Sequence, residues 1–402
     1  MEETRFARLQ AISARKILET SLVFRRNLYE KIDWSQRLIS IMGPRGVGKT
    51  TLLLQRAKES LQNFPNSLFL SLDSIWINAH EVYELVEHFV QYGGTHLYLD
   101  EVHCLENWQS LLKNLYDDFS KLFIVFSGSS MLRLEKSAGD LSRRLLRYHL
   151  PGLSFREYLS FEGMGSFPVL SLEELLSHHV RHAQAICEKT GVILPLFNAY
   201  LQSGYYPFYK EAGSHFHDLL MNAVNQVLDS DYPLIDDIQT STILKAKKML
   251  RVLSASTPQT PNITALSHEL EIDRKQGVKM LYSLSRAGLL NLLASNSDKL
   301  KNLSTPEKIL CGDTNLMFAL TEAPDRGALR ETFFFNQLAA VAQITYPKRG
   351  DFLVNEKFLF EIGGPNKGFE QIKDIPDSYL AIDNLEIGHG ARIPLWLFGF
   401  LY

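Results

Sequence analysis

"RLISIMGPRGVGKTTLLLQ", Arg37 to Gln55, holds three signals in succession. "LISIM" is a short apolar run of strand length. "GPRGVGKT" (43–50) follows it with the spacing G-x-x-x-x-G-K-T, and "TTLLLQ" then opens a run of helical character. A strand, a glycine-rich turn and a helix start are the setting in which this spacing makes a phosphate loop. Gly43, Gly46 and Gly48 let the backbone turn its N–H groups inward, and the helix N-terminus adds its partial positive charge. Gly43, Pro44, Arg45, Gly46, Val47, Gly48, Lys49, Thr50 and Thr51 are therefore the nucleotide-binding residues. Lys49 is expected on the β- and γ-phosphates, and the Thr50 hydroxyl on Mg²⁺.

Reading outward, "SLFLSL" (67–72), "HLYLD" (96–100) and "LFIVFSG" (122–128) are further apolar runs of strand length with helical stretches between them. Strands alternating with helices predict an α/β domain with a central parallel sheet. "HLYLDE" puts Asp100 and Glu101 at a strand end about fifty residues after Thr50. Asp100 suits the outer shell of Mg²⁺, and Glu101 suits a general base that polarises the attacking water. "VFSGSS" (125–130) offers Ser127 or Ser129 as a hydrogen-bonding partner for the γ-phosphate or the water; helix capping by Ser129 or Ser130 is the alternative.

The 402 residues suffice for two or three domains. A hydrophobic share of 45% with 22% charged residues describes a globular chain, and the net charge of −3 exerts no overall pull on nucleic acid. Cys104, Cys187 and Cys311 share no metal or redox spacing and suit a reducing cytoplasm. The polar start "MEETRFARLQ" is unlike a secretory signal. No apolar run approaches the ~20 residues of a membrane span. A cytoplasmic chain without a membrane partner is expected. "IPLWLFGFLY" (393–402) reads as a buried closing strand.

Residues 3–30 have apolar positions at helical spacing among many arginines, and 161–240 are helical, with Gly191 placed to cap "SLEELLSHHVRHAQAICEKTG". "TALSHEL" and "EIDRKQGVKMLYSLSRAGLLNLL" follow the order of a helix-turn-helix and the start of a wing. Arg274, Lys275 and Lys279 fall early in its second helix, where DNA-reading side chains sit, and "KAKKMLR" (245–251) adds a basic helix. Glu269, Glu271 and Asp273 dilute that field, and such modules also bind proteins. The expected linkers are 255–262 and 295–308.

The phosphate loop, "LYLDEVHCLENW", "FSGSS", "GDLSRRLLRYHLPGLSFREYL" and "YLQSGYYPF" together resemble AAA+-type ATPases of bacteria and archaea. More narrowly the chain resembles a group of prokaryotic AAA family ATP-binding proteins, and the likeness covers nearly its whole length. The resemblance implies a helical arm (1–35), a P-loop core (36–160) with five parallel strands and the P-loop strand central, and a helical lid (161–240). A winged helix (241–305) and a small C-terminal α/β domain of restriction-nuclease type (306–402) complete it. It implies ATP and Mg²⁺ as cofactors and makes oligomerisation an open possibility. It also implies Arg144 as an arginine finger, in cis or in trans, with Arg143 in place of the group's usual glycine and so a rival for the role. Arg156 and Glu157 read as a packing ion pair.

"LVNEKFLFEIGGPNKGFEQI" (353–372) adds a second question. Asp351 and Glu361, with Glu331 as a third carboxylate, have the makings of a metal-dependent nuclease of the Asp…Glu-x-Lys kind. The lysine position is Gly363, however, and Gly364 follows. Lys367 needs a bend at "GGPN" to return, and Lys357 sits in the hairpin turn. The expectation is a nuclease-like fold without the chemistry. The functional expectation is an ATP-hydrolysing switch or remodelling protein; an ATP-controlled DNA-binding module and an ATP-gated nuclease are the alternatives.

Overall fold

The computed structural model of the chain describes residues 2–63, 66–73, 78–129, 141, 143–232, 240–255, 262–294 and 305–402, with 2–5, 61–63, Ser129, Asp231 and Thr240 by their backbone alone. Ser130, part of "GDLSRR" (Gly139, Asp140 and Ser142) and most of the two expected linkers lie outside these residues. The chain divides into two compact units, Met1–Pro151 and Gly152–Tyr402.

The first unit is built on five strands: β1 (Leu38–Gly43), β2 (Ser67–Ser71), β3 (His96–Asp100), β4 (Phe123–Ser129) and β5 (Leu146–His149). They pair in the order β2-β3-β4-β1-β5, all parallel. β1 and β3 are buried at every position, which is why their sequences are unbroken apolar runs instead of alternating ones. β1 lies between β4 and β5, one place from the edge, and β4 takes the middle place expected of the P-loop strand. The helices are α1 (Glu2–Glu19), α2 (Asn27–Lys31), α3 (Lys49–Asn63), α4 (Ala79–Gln91) and α5 (Trp108–Asp118). A core of Leu38, Leu70, Leu97, Leu99, Ile124 and Phe126 from the sheet takes Val86, Trp108, Leu111 and Leu115 from α4 and α5. The N-terminal arm is integral to this unit: Ser13 of α1 accepts a hydrogen bond from the Phe69 N–H of edge strand β2 at 2.8 Å.

The second unit begins at Gly152. The helix Phe155–Phe161, expected to close the ATPase core, is part of the second unit and of its hydrophobic core. Ser154 and Glu157 form a capping box at its start, a role that the S-x-x-E spacing specifies. One core joins Phe155, Leu175 and Phe197 of the segment read as a lid to Phe333, Phe360, Trp396 and Phe398 of the C-terminal segment. Gly191 ends the helix Leu172–Thr190 with a positive φ of 77°, as a cap does. The helices Ile263–Glu269 and Arg274–Arg286 precede β6 (Leu290–Leu293), which pairs antiparallel with β7 (Lys308–Cys311).

The C-terminal sheet has the order β12-β11-β10-β9-β8. Its strands are β8 (Ile344–Thr345), β9 (Phe352–Val354), β10 (Phe358–Gly363), β11 (Ser378–Ile382) and β12 (Arg392–Pro394). β9 and β10 form an antiparallel hairpin whose turn holds Asn355 and Glu356 at positive φ, while β10, β11 and β12 run parallel. Leu395–Phe400, expected as a strand, is a buried 3₁₀ helix. An all-apolar run has no period with which to distinguish the two.

Candidate active site

β1, β3 and β4 are adjacent and parallel, so their C-terminal ends deliver the phosphate loop, Asp100–Glu101 and Ser127 to one edge of the sheet. β1 ends at Gly43, where a Cβ atom would stand 2.3 Å from the Leu150 carbonyl oxygen; only glycine fits between the strands there. The loop turns through Gly46 and Gly48, at φ of 81° and 96°, and α3 starts on Lys49. Val47 faces inward and is fully buried, anchoring the loop in the core.

Lys49 is buried, and its Nζ donates to the Gly43 and Pro44 carbonyls at 3.0 Å each. It also lies 4.0 Å from Glu101 Oε1. The Thr50 hydroxyl donates to Asp100 Oδ2 at 2.7 Å. Ser127 donates to the other Asp100 oxygen and accepts from the Glu101 N–H at 3.2 Å. Ser127 is fully buried and serves the acidic pair. The Ser129 backbone pairs with Gly43, and Ser129's role stays an expectation. Thr50 and Thr51 are exposed at the loop's end, and Arg45 is half-buried.

Glu101 adopts a left-handed conformation, φ 55° and ψ 48°, uncommon for a side-chain-bearing residue and a form in which functional residues collect. It caps the 3₁₀ turn Val102–Cys104, which swings His103 back so that its Nδ1 is 3.2 Å from Glu101 Oε2.

Arg26 belongs to no motif in the sequence. This buried arginine donates to the Val47 carbonyl at 2.7 Å and the Pro151 carbonyl at 2.8 Å, tying the phosphate loop to the segment after β5. Its only sequence signal is its place in an arginine-rich arm. Arg144 pairs with Asp117 of α5 at 3.1 Å and lies over the Tyr116 ring; Arg143 is exposed. Arg156 donates to the carbonyls of Tyr402 and Phe167, and Glu157 serves the capping box, so each has a use other than the mutual ion pair expected.

In the second unit, Lys245 and Lys248 donate to the carbonyls of Glu271 and Glu269, and Lys247 pairs with Asp229. Most of that basic helix is thus engaged within the fold. Arg274 donates to Thr305, while Lys275 and Lys279 are exposed.

The hairpin and the helix Arg326–Ala339 bring Asp351, Glu361 and Glu331 into one ionic cluster, and the structure corrects the expectation that it lacks an ammonium group. The chain turns after Gly364, with the Lys367 N–H donating to the Gly364 carbonyl at 3.0 Å, and Lys367 Nζ pairs with Glu361. The Lys367 stem fills the space above Gly363: a Cβ there would meet Lys367 Cβ at 2.4 Å. Buried Lys308 pairs with Glu331 and lies 3.5 Å from Asp351. Asp351 also accepts from the Ile362 N–H at 2.7 Å. Burial pushes the carboxyls of Glu331 and Glu361 above the usual range, against the pull of the lysines. Burial works against the Lys367 ammonium, but Glu361 outweighs it and the net shift is upward. Among the described residues, no three His, Cys, Asp or Glu side chains are arranged to hold a metal.

Residues 35–159 match the AAA domain family, and residues 194–327 match a domain family of unknown function, DUF8612. Two proteins of Methanocaldococcus jannaschii are similar along most of their length. Uncharacterized protein MJ1637 is 26% identical over 91% of this chain and 85% of its own. Uncharacterized protein MJ1544 is 25% identical over 83% of this chain and 73% of its own. Among solved structures, Caenorhabditis elegans PCH-2 is 15% identical over 56% of this chain and 68% of its own, with a TM-score of 0.30. The Saccharomyces cerevisiae Hsp104-ADP complex is 15% identical over 70% of this chain and 42% of its own, with a TM-score of 0.34.

Proposed function

Given that residues 35–159 carry a P-loop AAA-type domain, we propose that the protein binds ATP with Mg²⁺, hydrolyses it, and acts as a nucleotide-driven switch or remodelling protein. The observation that carries this reading is the linked set Lys49, Thr50, Asp100, Glu101 and Ser127 at the ends of three adjacent strands. Thr50 and Asp100 present hard oxygen donors 2.7 Å apart, a pair suited to Mg²⁺ directly and through its water shell. The ion, when bound, would supply charge to the β- and γ-phosphates. Loop N–H groups hold the phosphates, and Lys49 exchanges its carbonyl partners for phosphate oxygens. As the water oxygen bonds to the γ-phosphorus, Glu101 takes its proton and the bridging oxygen leaves with ADP. Arg144, released from Asp117, is the proposed finger, on its own nucleotide or on that of a second copy, with Arg143 as the rival.

Lys49→Ala should lose nucleotide affinity. Glu101→Gln should retain ATP and lose roughly 10²–10⁴-fold in turnover. Wild-type turnover in Glu101→Gln would refute the base assignment. Running the same assay with and without double-stranded DNA tests the DNA-binding alternative, which the exposed Lys275 and Lys279 support.

For the C-terminal sheet we propose a nuclease-like fold that serves structure or binding. The support is Lys308, whose ammonium lies between Glu331 and Asp351, where a nuclease needs its metal. With Mg²⁺ or Mn²⁺ and ATP, purified protein should leave plasmid and linear DNA intact. Cleavage that disappears in Glu361→Ala would reinstate the nuclease.

A further inference from the structure

The two oxygens of Glu101 have different surroundings. Oε1 lies 4.0 Å from Lys49 Nζ, on the phosphate-loop side. Oε2 is buried and lies 3.2 Å from His103 Nδ1, a close contact whose angles are not those of a hydrogen bond. His103 has little freedom to vary this contact. Its side chain is 6% exposed, it sits two residues beyond Glu101, and the turn that carries it is closed by the Cys104 N–H on the Glu101 carbonyl at 3.0 Å. The turn is also held from below by Val102, which is buried in the sheet core. Ser127 fixes the backbone of Glu101 from the other side. The base is therefore held at its peptide by β4, and an imidazole packs against one of its carboxylate oxygens.

We propose that His103 is a positioning residue for ATP hydrolysis: by backing Oε2, it keeps Oε1 turned toward Lys49 and the attacking water. This rests on the ATPase reading above. Without the ring, the Glu101 side chain regains rotamers that point Oε1 away from the water, so the fraction of bound ATP poised for attack falls while the phosphate contacts remain. The effect belongs to kcat and not to nucleotide affinity.

The test uses the full chain and three proteins: wild type, His103→Ala and His103→Asn. Asn can place a side-chain nitrogen near the position of Nδ1. ATP affinity is measured by titration with a fluorescent ATP analogue, turnover by phosphate release, and folding by thermal unfolding. The expected result is a kcat lower by about 10–100-fold in His103→Ala at unchanged affinity, the scale of losing an orienting partner at an active site. His103→Asn should recover most of it. A His103→Ala protein that folds and turns over within twofold of wild type overturns the proposal, as does an equal loss in His103→Asn and His103→Ala. If His103 is only a packing residue, unfolding shifts while kcat of the folded protein does not, which also overturns it. A wild type that binds ATP but never releases phosphate overturns the ATPase reading and this inference together.

Discussion

Gly363 and Lys367 show how an ion pair can be made from outside the strand that carries its carboxylate. The lysine expected two residues after Glu361 is absent, yet an ammonium group reaches that carboxylate from six residues away, over a glycine that makes room for it. The fit predicts strong coupling. Gly363→Ala should destabilise the second unit by about 1–3 kcal/mol, because its methyl group overlaps the Lys367 stem. In a Lys367→Gly background, the same change should have little effect. A double-mutant cycle by urea unfolding measures this, and additive effects would remove the argument. The phosphate-loop residues were legible because they form one contiguous motif, even though Thr50 and Lys49 meet Asp100 and Glu101 from another strand. Lys367 was named but set aside because spacing rules assume that a motif lysine stays on its strand, and the bend at "GGPN" brings it back. Arg26 and Lys308 were harder still: Arg26 and Pro151 are 125 residues apart and Lys308 and Asp351 are 43 apart, so only the folded chain pairs them.

At the scale of elements, β3 pairs a legible end with an unforeseen one. Its C-terminus announces itself through Asp100 and Glu101. Its first residue, His96, is buried and stacks on Phe123 of β4 with the rings 5.1 Å apart and 7° from parallel. Burial, reinforced by the nearby Arg56 charge, lowers its pKa from 6.5 to about 4. The unfolded chain thus takes up a proton below about 6.5 that the folded one refuses until about 4. Stability from this residue is complete above that range and lost as the pH falls through it, by an amount on the order of 3 kcal/mol. Urea midpoints from pH 7 to 4.5 should fall less steeply in His96→Phe than in wild type; parallel curves would show that the strand start carries no such charge penalty. The other elements were read unevenly for a related reason. Buried parallel strands advertise themselves as apolar runs between glycines, whereas Leu395–Phe400 is the same kind of run and is a 3₁₀ helix. Composition identified it as interior without giving its shape.

At the scale of the whole molecule, the resemblance suggested three successive modules after the ATPase core, but one hydrophobic core draws residues from all three, Leu293 of the winged-helix segment among them. Phe155 and Phe197 share it with Phe333, Trp396 and Phe400. Deleting residues 395–402 should therefore unfold the second unit at large, including the helices near 155–201, and leave residues 1–151 folded. Limited proteolysis with fragment mapping reads this directly; a truncated protein that protects 152–250 would mean that the lid helices stand by themselves. The same feature sets an order in time. Ser154 Oγ and Arg156 Nε both donate to the Tyr402 carbonyl at 2.8 Å, and the Tyr402 hydroxyl donates to the Gly152 carbonyl at 3.2 Å. The first and last residues of the unit thus complete each other across 250 positions. On a ribosome, residues 1–151 have all their sheet partners long before synthesis ends and can close while the chain is still being extended. The second unit has to wait with its aromatic interior open until residue 402 has left the exit tunnel. That interval, at roughly 5–20 residues per second, makes the second unit the part of this protein most dependent on holding chaperones during its birth.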